Sequence, residues 1–293
     1  MCGALEVQNT LTLLGGSLEV GGHSRLAAPL RILDGSFNGF AGIEADNSEE
    51  VAGDLATAGD WTVRSPAHVG GAAFVAGSLE ASTRVDVGGV LYAAHGNTTN
   101  VHAAEIRVDG TVATSRAACP VQNALPSAIW GMDGVGIVEL GSALTHDSHA
   151  ARLSLGCGRY RFDSWGIERD LVLRVSGATL IVIEGDVRIA APVRIELDAG
   201  ATLDVLVAGS LRVDDTLTIT GGSAWLAVEG QLDIASPMVL EGSLYAPHSV
   251  VAVNDALDVT GSLWVGSMRI AAPVTVAALP ARTAPPCTLD GKL

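Results

Sequence analysis

Arg25-Leu-Ala-Ala-Pro29 returns as Arg188-Ile-Ala-Ala-Pro192 and again as Arg269-Ile-Ala-Ala-Pro273. A second phrase, Gly-Ser-Leu, recurs from Gly16, Gly77, Gly209, Gly242 and Gly261. Recurrence of short apolar phrases marks a solenoid, in which each repeat is one coil that buries its apolar face only by stacking on its neighbours. Proline has no N–H to give to a ladder, so Ala-Ala-Pro reads as the end of a strand. Glycine ahead of an apolar residue permits the sharp corner of a coil.

Between these phrases the chain alternates apolar and polar residues. Leu18-Glu-Val20, Leu211-Arg-Val213, Leu232-Asp-Ile234 and Leu257-Asp-Val259 each read inside, outside, inside, the period of a half-buried strand. Gly185, Gly209, Gly230, Gly242 and Gly261 each open a Gly-x-[Leu/Val] strand, at separations of 24, 21, 12 and 19. The longer steps predict one coil of roughly 18–24 residues, and the step of twelve predicts two faces of one coil. Residues 73–95 also align without a gap on residues 226–248, with eight of 23 positions identical, Tyr92/Tyr245 and His95/His248 among them. That duplication predicts two related β-helical halves.

Composition agrees. Hydrophobic residues make up 48% of the 293 but aromatics only 4%, so the core must be aliphatic, as suits a narrow β-helix. The fold expected is all-β: a right-handed, mostly parallel β-helix with a short capping helix near 48–58 and an irregular excursion near 115–150. The helix rests on Asn47 as cap, Glu50 three residues on, and Val51, Leu55 and Ala58 sharing a face. The predicted division is an N-terminal half at 1–114, the excursion at 115–150, a C-terminal half at 151–278 and a Pro-containing tail at 279–293.

Net charge is −15, Lys292 is the only lysine, and the arginines are scattered singly. With no basic stripe to neutralise phosphates, nucleic acid is excluded as a partner. No run of eighteen apolar residues occurs, so no transmembrane segment is predicted. Met1-Cys2-Gly3 lacks a signal-peptide pattern. Cys2 followed by Gly3 is how a mature lipoprotein can begin, which makes Cys2 a candidate for lipid attachment; an ordinary cysteine after a start codon is the other reading. Cys2, Cys119, Cys157 and Cys287 have no C-x-x-C spacing, so a zinc site is not expected. Cys119–Cys157 is the preferred disulfide, with buried free thiols as the alternative.

Candidates for chemistry are thin. Glu44, Asp46, Glu49 and Glu50 form, with Asn47, the densest oxygen-ligand cluster and are weak calcium candidates, although the EF-hand pattern is absent; a charged helix N-terminus accounts for the same residues. His95 and His248 read as polar residues closing strands. His146-Asp147-Ser148-His149 has the residue types of a catalytic triad, but as sequence neighbours, whereas triad members converge from separate elements. Asp214 and Asp215 are adjacent and point apart in a strand, so they do not form the carboxylate pair of a glycoside hydrolase. The five tryptophans, Trp61, Trp130, Trp165, Trp225 and Trp264, are read as core or edge packing, with a sugar-gripping stripe as the alternative. No catalytic residue and no cofactor are expected.

Cys157-Gly-Arg-Tyr160, Ile183-Glu-Gly-Asp-Val187, Leu203-Asp-Val-Leu-Val-Ala-Gly-Ser-Leu211 and Gly242-Ser-Leu-Tyr-Ala-Pro247 carry a resemblance over about residues 153–278. They resemble an uncharacterised bacterial β-helix domain of secreted proteins and lipoproteins, of myxobacterial type, found also beside pilus-assembly components. The resemblance implies an extracellular or cell-surface place, with lipid anchoring through Cys2, and carries no catalytic residues. A looser likeness is to bactofilins, β-helices that polymerise end to end; the excursion and the capping helix depart from their uniform coils. The function expected is therefore a non-enzymatic cell-surface or extracellular structural or adhesion module, with an unknown protein or glycan partner. The alternatives are a carbohydrate-active or glycan-binding β-helix and a self-polymerising scaffold.

Overall fold

The computed structural model describes residues 3–108, 137–141 and 151–278, and among them it has thirty strands and no helix. Strands of successive coils pair in parallel. The chain is a β-solenoid. The described residues fall into two compact units: one holds residues up to 108 with 250–258 and 265–278, the other holds residues 137–141 and 151–249 with 259–264.

In the first unit, Leu5, Ser24, Ile43, Trp61 and Leu79 stand in one inward column, so the coils are 19, 19, 18 and 18 residues long. Leu11, Leu30, Glu49, Ala67 and Val85 form a second column. Leu18, Phe37, Leu55, Ala73 and Leu91 form a third. Three short strands per coil thus enclose an aliphatic interior. In the second unit, Phe162, Ile183, Val207 and Val228 stack at steps of 21, 24 and 21 residues. These lengths meet the 18–24 expected from the glycine spacing.

The phrase that opened the sequence has one structural meaning in all three copies. Arg25, Arg188 and Arg269 face outward, the next aliphatic residue is buried, and Ala28, Ala191 and Ala272 turn in again before the proline corner. The backbone repeats as well: Ala27, Ala190 and Ala271 donate to Val7, Ile167 and Val253 one coil away at 2.8–2.9 Å. The proline carbonyls of Pro29, Pro192 and Pro273 accept from Leu11, Leu171 and Leu257 at 3.0–3.1 Å. A residue without an N–H still serves the ladder as an acceptor.

The Gly-Ser-Leu phrase is a corner device. Gly209 N donates to Gly185 O at 3.2 Å, and Gly230 N donates to Gly209 O at 3.0 Å. A Cβ on Gly209 or Gly230 would stand 2.6 Å from the carbonyl oxygen below it, so these two positions admit only glycine. The following polar residue reaches one coil up: Ser210 N donates to Asp186 Oδ1 at 2.8 Å and Gln231 N to Ser210 Oγ at 3.2 Å. In the first unit the N–H groups of Ser36, Asp54 and Ala72 donate in the same way to the side-chain oxygens of Ser17, Ser36 and Asp54. The corners have no strand ladder, and these side chains satisfy the N–H groups it would have paired.

One expectation changes. There is no helix at 48–58: Glu49–Val51 and Leu55–Thr57 are strands. Glu49 and Val51 both face the interior, stacked between Leu30/Ile32 and Ala67/Val69, so the period is two. Asn47 is a corner residue whose Oδ1 accepts from Ser48 N at 2.8 Å; a local side-chain bond of this kind serves a turn as readily as a helix cap. The strand Leu5–Val7 pairs with Ser24–Leu26 on one side and with Met268–Ile270 on the other, and Leu11–Leu13 pairs with Val274–Val276. The last coils of the chain therefore stack on its first. Glu6 consequently lies between Arg25 and Arg269, the arginines of two copies of the opening phrase. The duplication holds in its inward positions: Val75, Leu79, Val85 and Leu91 are buried, as are Val228, Leu232, Met238 and Leu244. The excursion at 115–150, apart from the strand Ile137–Gly141, and the tail at 279–293 lie outside the described residues.

Candidate binding face

Solenoid strands point alternate residues outward, and on most coils these are polar. One sheet of the second unit departs from that rule. Its strands Ala178–Ile183, Thr202–Val207, Leu217–Val228 and Met238–Val253 set Ile181, Val205 and Leu226 inward. On the outside, Val182, Leu206, Ala227 and Tyr245 stand in one column, and Leu180, Asp204, Trp225 and Ser243 in the next. Leu206 and Ala227 are 0% exposed and Tyr245 is 8% exposed, with Leu180, Val182, Trp225 and Trp264 half-buried around them. The outer face therefore carries a second apolar cluster, separate from the interior.

Its aromatic side chains touch. The rings of Trp225 and Tyr245 lie 5.9 Å apart, tilted by 37°, within the range of favourable aromatic pairs. Burial, helped by the charge of Glu229, raises the Tyr245 phenol above its ordinary value, so it stays protonated as a donor. Polar groups border the cluster: Ser243 and Ser262 share a hydrogen bond at 2.8 Å, and Arg161, in register with Val182, pairs with Glu184. The signal for this face was present as Asp204-Val-Leu-Val207, where three successive apolar residues break the alternation.

The other sequence candidates scatter. Glu44 faces outward between Arg25 and Thr62. Asp46 takes Arg64 at 2.6 Å and Arg25 at 3.9 Å, and Glu50 takes Arg31 at 3.9 Å. Glu49 points the opposite way, into the interior. The four do not converge, and no three His, Cys, Asp or Glu side chains among the described residues are gathered as a metal would require. His95 and His248 are exposed at the surfaces of their own units. His146, Asp147, Ser148, His149 and Trp130 lie outside the described residues, as do Cys2, Cys119 and Cys287. Cys157 is disulfide-bonded.

Asp214 and Asp215 lie in the bend after the strand Leu211–Val213, not in a strand, and take different partners. Asp215 Oδ1 accepts from Thr216 N at 2.6 Å, whereas Asp214 accepts from Arg212 at 2.6 Å and Arg188 at 2.9 Å. Those two arginines stand side by side on successive coils, and the shared carboxylate relieves their repulsion. The hydrogen bond from Arg212, then that from Arg188, holds the Asp214 carboxyl below its usual value of 3.8. A depressed carboxyl adds stability above its unfolded pKa and loses it as pH falls through the folded value. The stability gap between the wild type and Asp214→Asn is therefore expected to be widest at neutral pH and to close in acid, as urea midpoints would show.

The fold and this face together define a parallel β-solenoid with an apolar strip on the outside of its second unit; on the outside of the first unit Phe74 and Tyr92 also stack, ring centroids 5.1 Å apart. Residues 137–281 match a family model described as a domain of unknown function (DUF7305), and every residue of the strip lies within them. No curated protein and no solved structure matches the chain. No helix among the described residues is long and apolar enough to cross a membrane.

Proposed function

We propose that this protein is a non-enzymatic structural and adhesion module that works outside the cytoplasm and engages its partner through the outer strip of Trp225, Tyr245 and Trp264. The observation that carries the reading is a buried aromatic and aliphatic cluster on the outside of a solenoid whose interior is already filled. A regular β-solenoid holds such a face rigid, so little conformational freedom is lost on binding. Polysaccharide is the partner class the chemistry favours. Half-buried indole faces offer flat apolar surface to sugar rings, and the hydroxyls of Ser243 and Ser262 stand beside them to exchange hydrogen bonds with sugar hydroxyls. The disulfide at Cys157 supports an oxidising compartment, and attachment through a lipidated Cys2 belongs to the same reading. Cys119 is the expected partner of Cys157; a non-reducing peptide map joining those two peptides would agree, and Cys157 joined to Cys2 or Cys287 would not.

The self-polymerising alternative would use strand edges. Val101–Val108 pairs only with Val85–Ala93 among the described residues. It carries Glu105 and Arg107, paired at 2.7 Å, with Arg107 also 5.3 Å from the Tyr92 ring. Charged side chains on an edge oppose edge-to-edge addition. Negative-stain electron microscopy across a concentration series, with and without calcium, tests the point. Discrete particles at every concentration are expected, and concentration-dependent filaments would overturn the module reading.

A further inference from the structure

We infer that Glu49 makes the first unit sensitive to proton concentration: its carboxyl sits in the aliphatic interior as a neutral acid, and losing the proton loosens the coils stacked around it. Glu49 is 2% exposed and is the first residue of its strand, in register with Leu30 below and Ala67 above. The one hydrogen bond to its carboxyl comes from Trp61 Nε1, which donates to Oε2 at 3.2 Å; Oε1 has no partner. An ionised carboxylate in such surroundings lacks both a counter-charge and enough donors, which is the costly case of charge burial.

No neighbouring strand supplies what is missing. Leu30–Ile32 turns Leu30 inward and Arg31 outward, Ala67–Val69 turns Ala67 inward and His68 outward, and Asp60–Val63 turns Trp61 inward with Asp60 exposed. On its own strand Glu50 faces out. The other polar side chain turned into the columns flanking Trp61 and Glu49 is Ser24, whose hydroxyl is buried without a partner. Burial moves the Glu49 carboxyl from an ordinary 4.5 to about 7, with the Trp61 hydrogen bond opposing that shift. The folded value lies above the unfolded one, so stability is full below the unfolded pKa, falls as pH climbs toward 7 and levels beyond it.

The test is urea unfolding of the full chain across this window, wild type against Glu49→Gln, which keeps an acceptor for Trp61 but cannot ionise. The ratio of wild-type to variant folding constants is expected to fall about five- to sevenfold per pH unit between about pH 5 and 7, roughly fortyfold in all. An unchanged ratio overturns the proposal. Infrared spectroscopy of the wild type keeps the question open to refutation if the variant does not fold. At about pH 6, where exposed carboxyls are ionised, a protonated-carboxyl stretch that disappears by about pH 8 is expected, and its absence at the lower pH contradicts the proposal.

Discussion

Gly242→Ala is expected to lose at least about 3 kcal/mol of stability, the upper end of what overpacking and a strained backbone together cost. Gly242 opens one copy of the Gly-Ser-Leu phrase with φ at 154°, a conformation side-chain-bearing residues rarely adopt. A Cβ there would stand 1.9 Å from Ala224 O and 2.6 Å from Ala224 C. Both are backbone atoms of the paired strand, so relief requires the coils themselves to separate. Gly156 is the control: nothing lies within 4 Å of its added Cβ, and Gly156→Ala should change stability by less than about 0.5 kcal/mol. Urea midpoints for the two variants decide the matter. Equal midpoints would mean that the strands paired at Ala224 and Gly242 do not approach as closely as described.

Leu206→Ala is expected to cost as much as Leu203→Ala, about 2–4 kcal/mol each. The two leucines lie on one strand and point to opposite sides, Leu203 into the interior and Leu206 to the outside, yet both are 0% exposed. Truncating an outward leucine on an ordinary solenoid face would matter little. Here it opens a cavity beneath Trp225 and Tyr245, and the rings packed over it lose contacts. Val250, 63% exposed, provides the comparison, and Val250→Ala should be near neutral. If Leu206→Ala behaves like Val250→Ala, the outer strip is not a second core and its aromatic residues have no fixed platform.

Much of this architecture was legible because a solenoid repeats its constraints. Glycine recurs at one stacked corner, Ser or Asp follows where the next coil's N–H needs an acceptor, proline or a polar residue closes another corner, and period-two alternation fixes which residues enter the interior. The misread segment shows the limit. Asn47, Glu50, Val51 and Leu55 satisfy the spacing of a capped helix, and only the register with the coils above and below makes the segment a strand. Glu49 was misjudged for a related reason: charged residues are almost never fully buried, so sequence reasoning grouped it with its exposed neighbours as a cation ligand. Which coil meets which was also hidden. Every coil offers the same aliphatic columns, so nothing local predicts that Leu5 stacks on Met268. Leu206 left a trace in a broken alternation, but one extra apolar residue is too small a departure to mark a face.

The functional account turns on the outer strip, and one titration addresses it directly. Soluble neutral polysaccharides, including dextran, xyloglucan and a mixed-linkage β-glucan, would be titrated into the purified chain and binding followed by tryptophan fluorescence. The Trp225→Ala/Trp264→Ala double variant would be measured alongside, with its fold verified by circular dichroism. The account predicts saturable binding to at least one polymer by the wild type, weakened at least about tenfold in the variant, since stacking on a single aromatic side chain contributes on the order of 1 kcal/mol or more. Equal binding by a folded variant, or no binding of any polymer by the wild type, would contradict it.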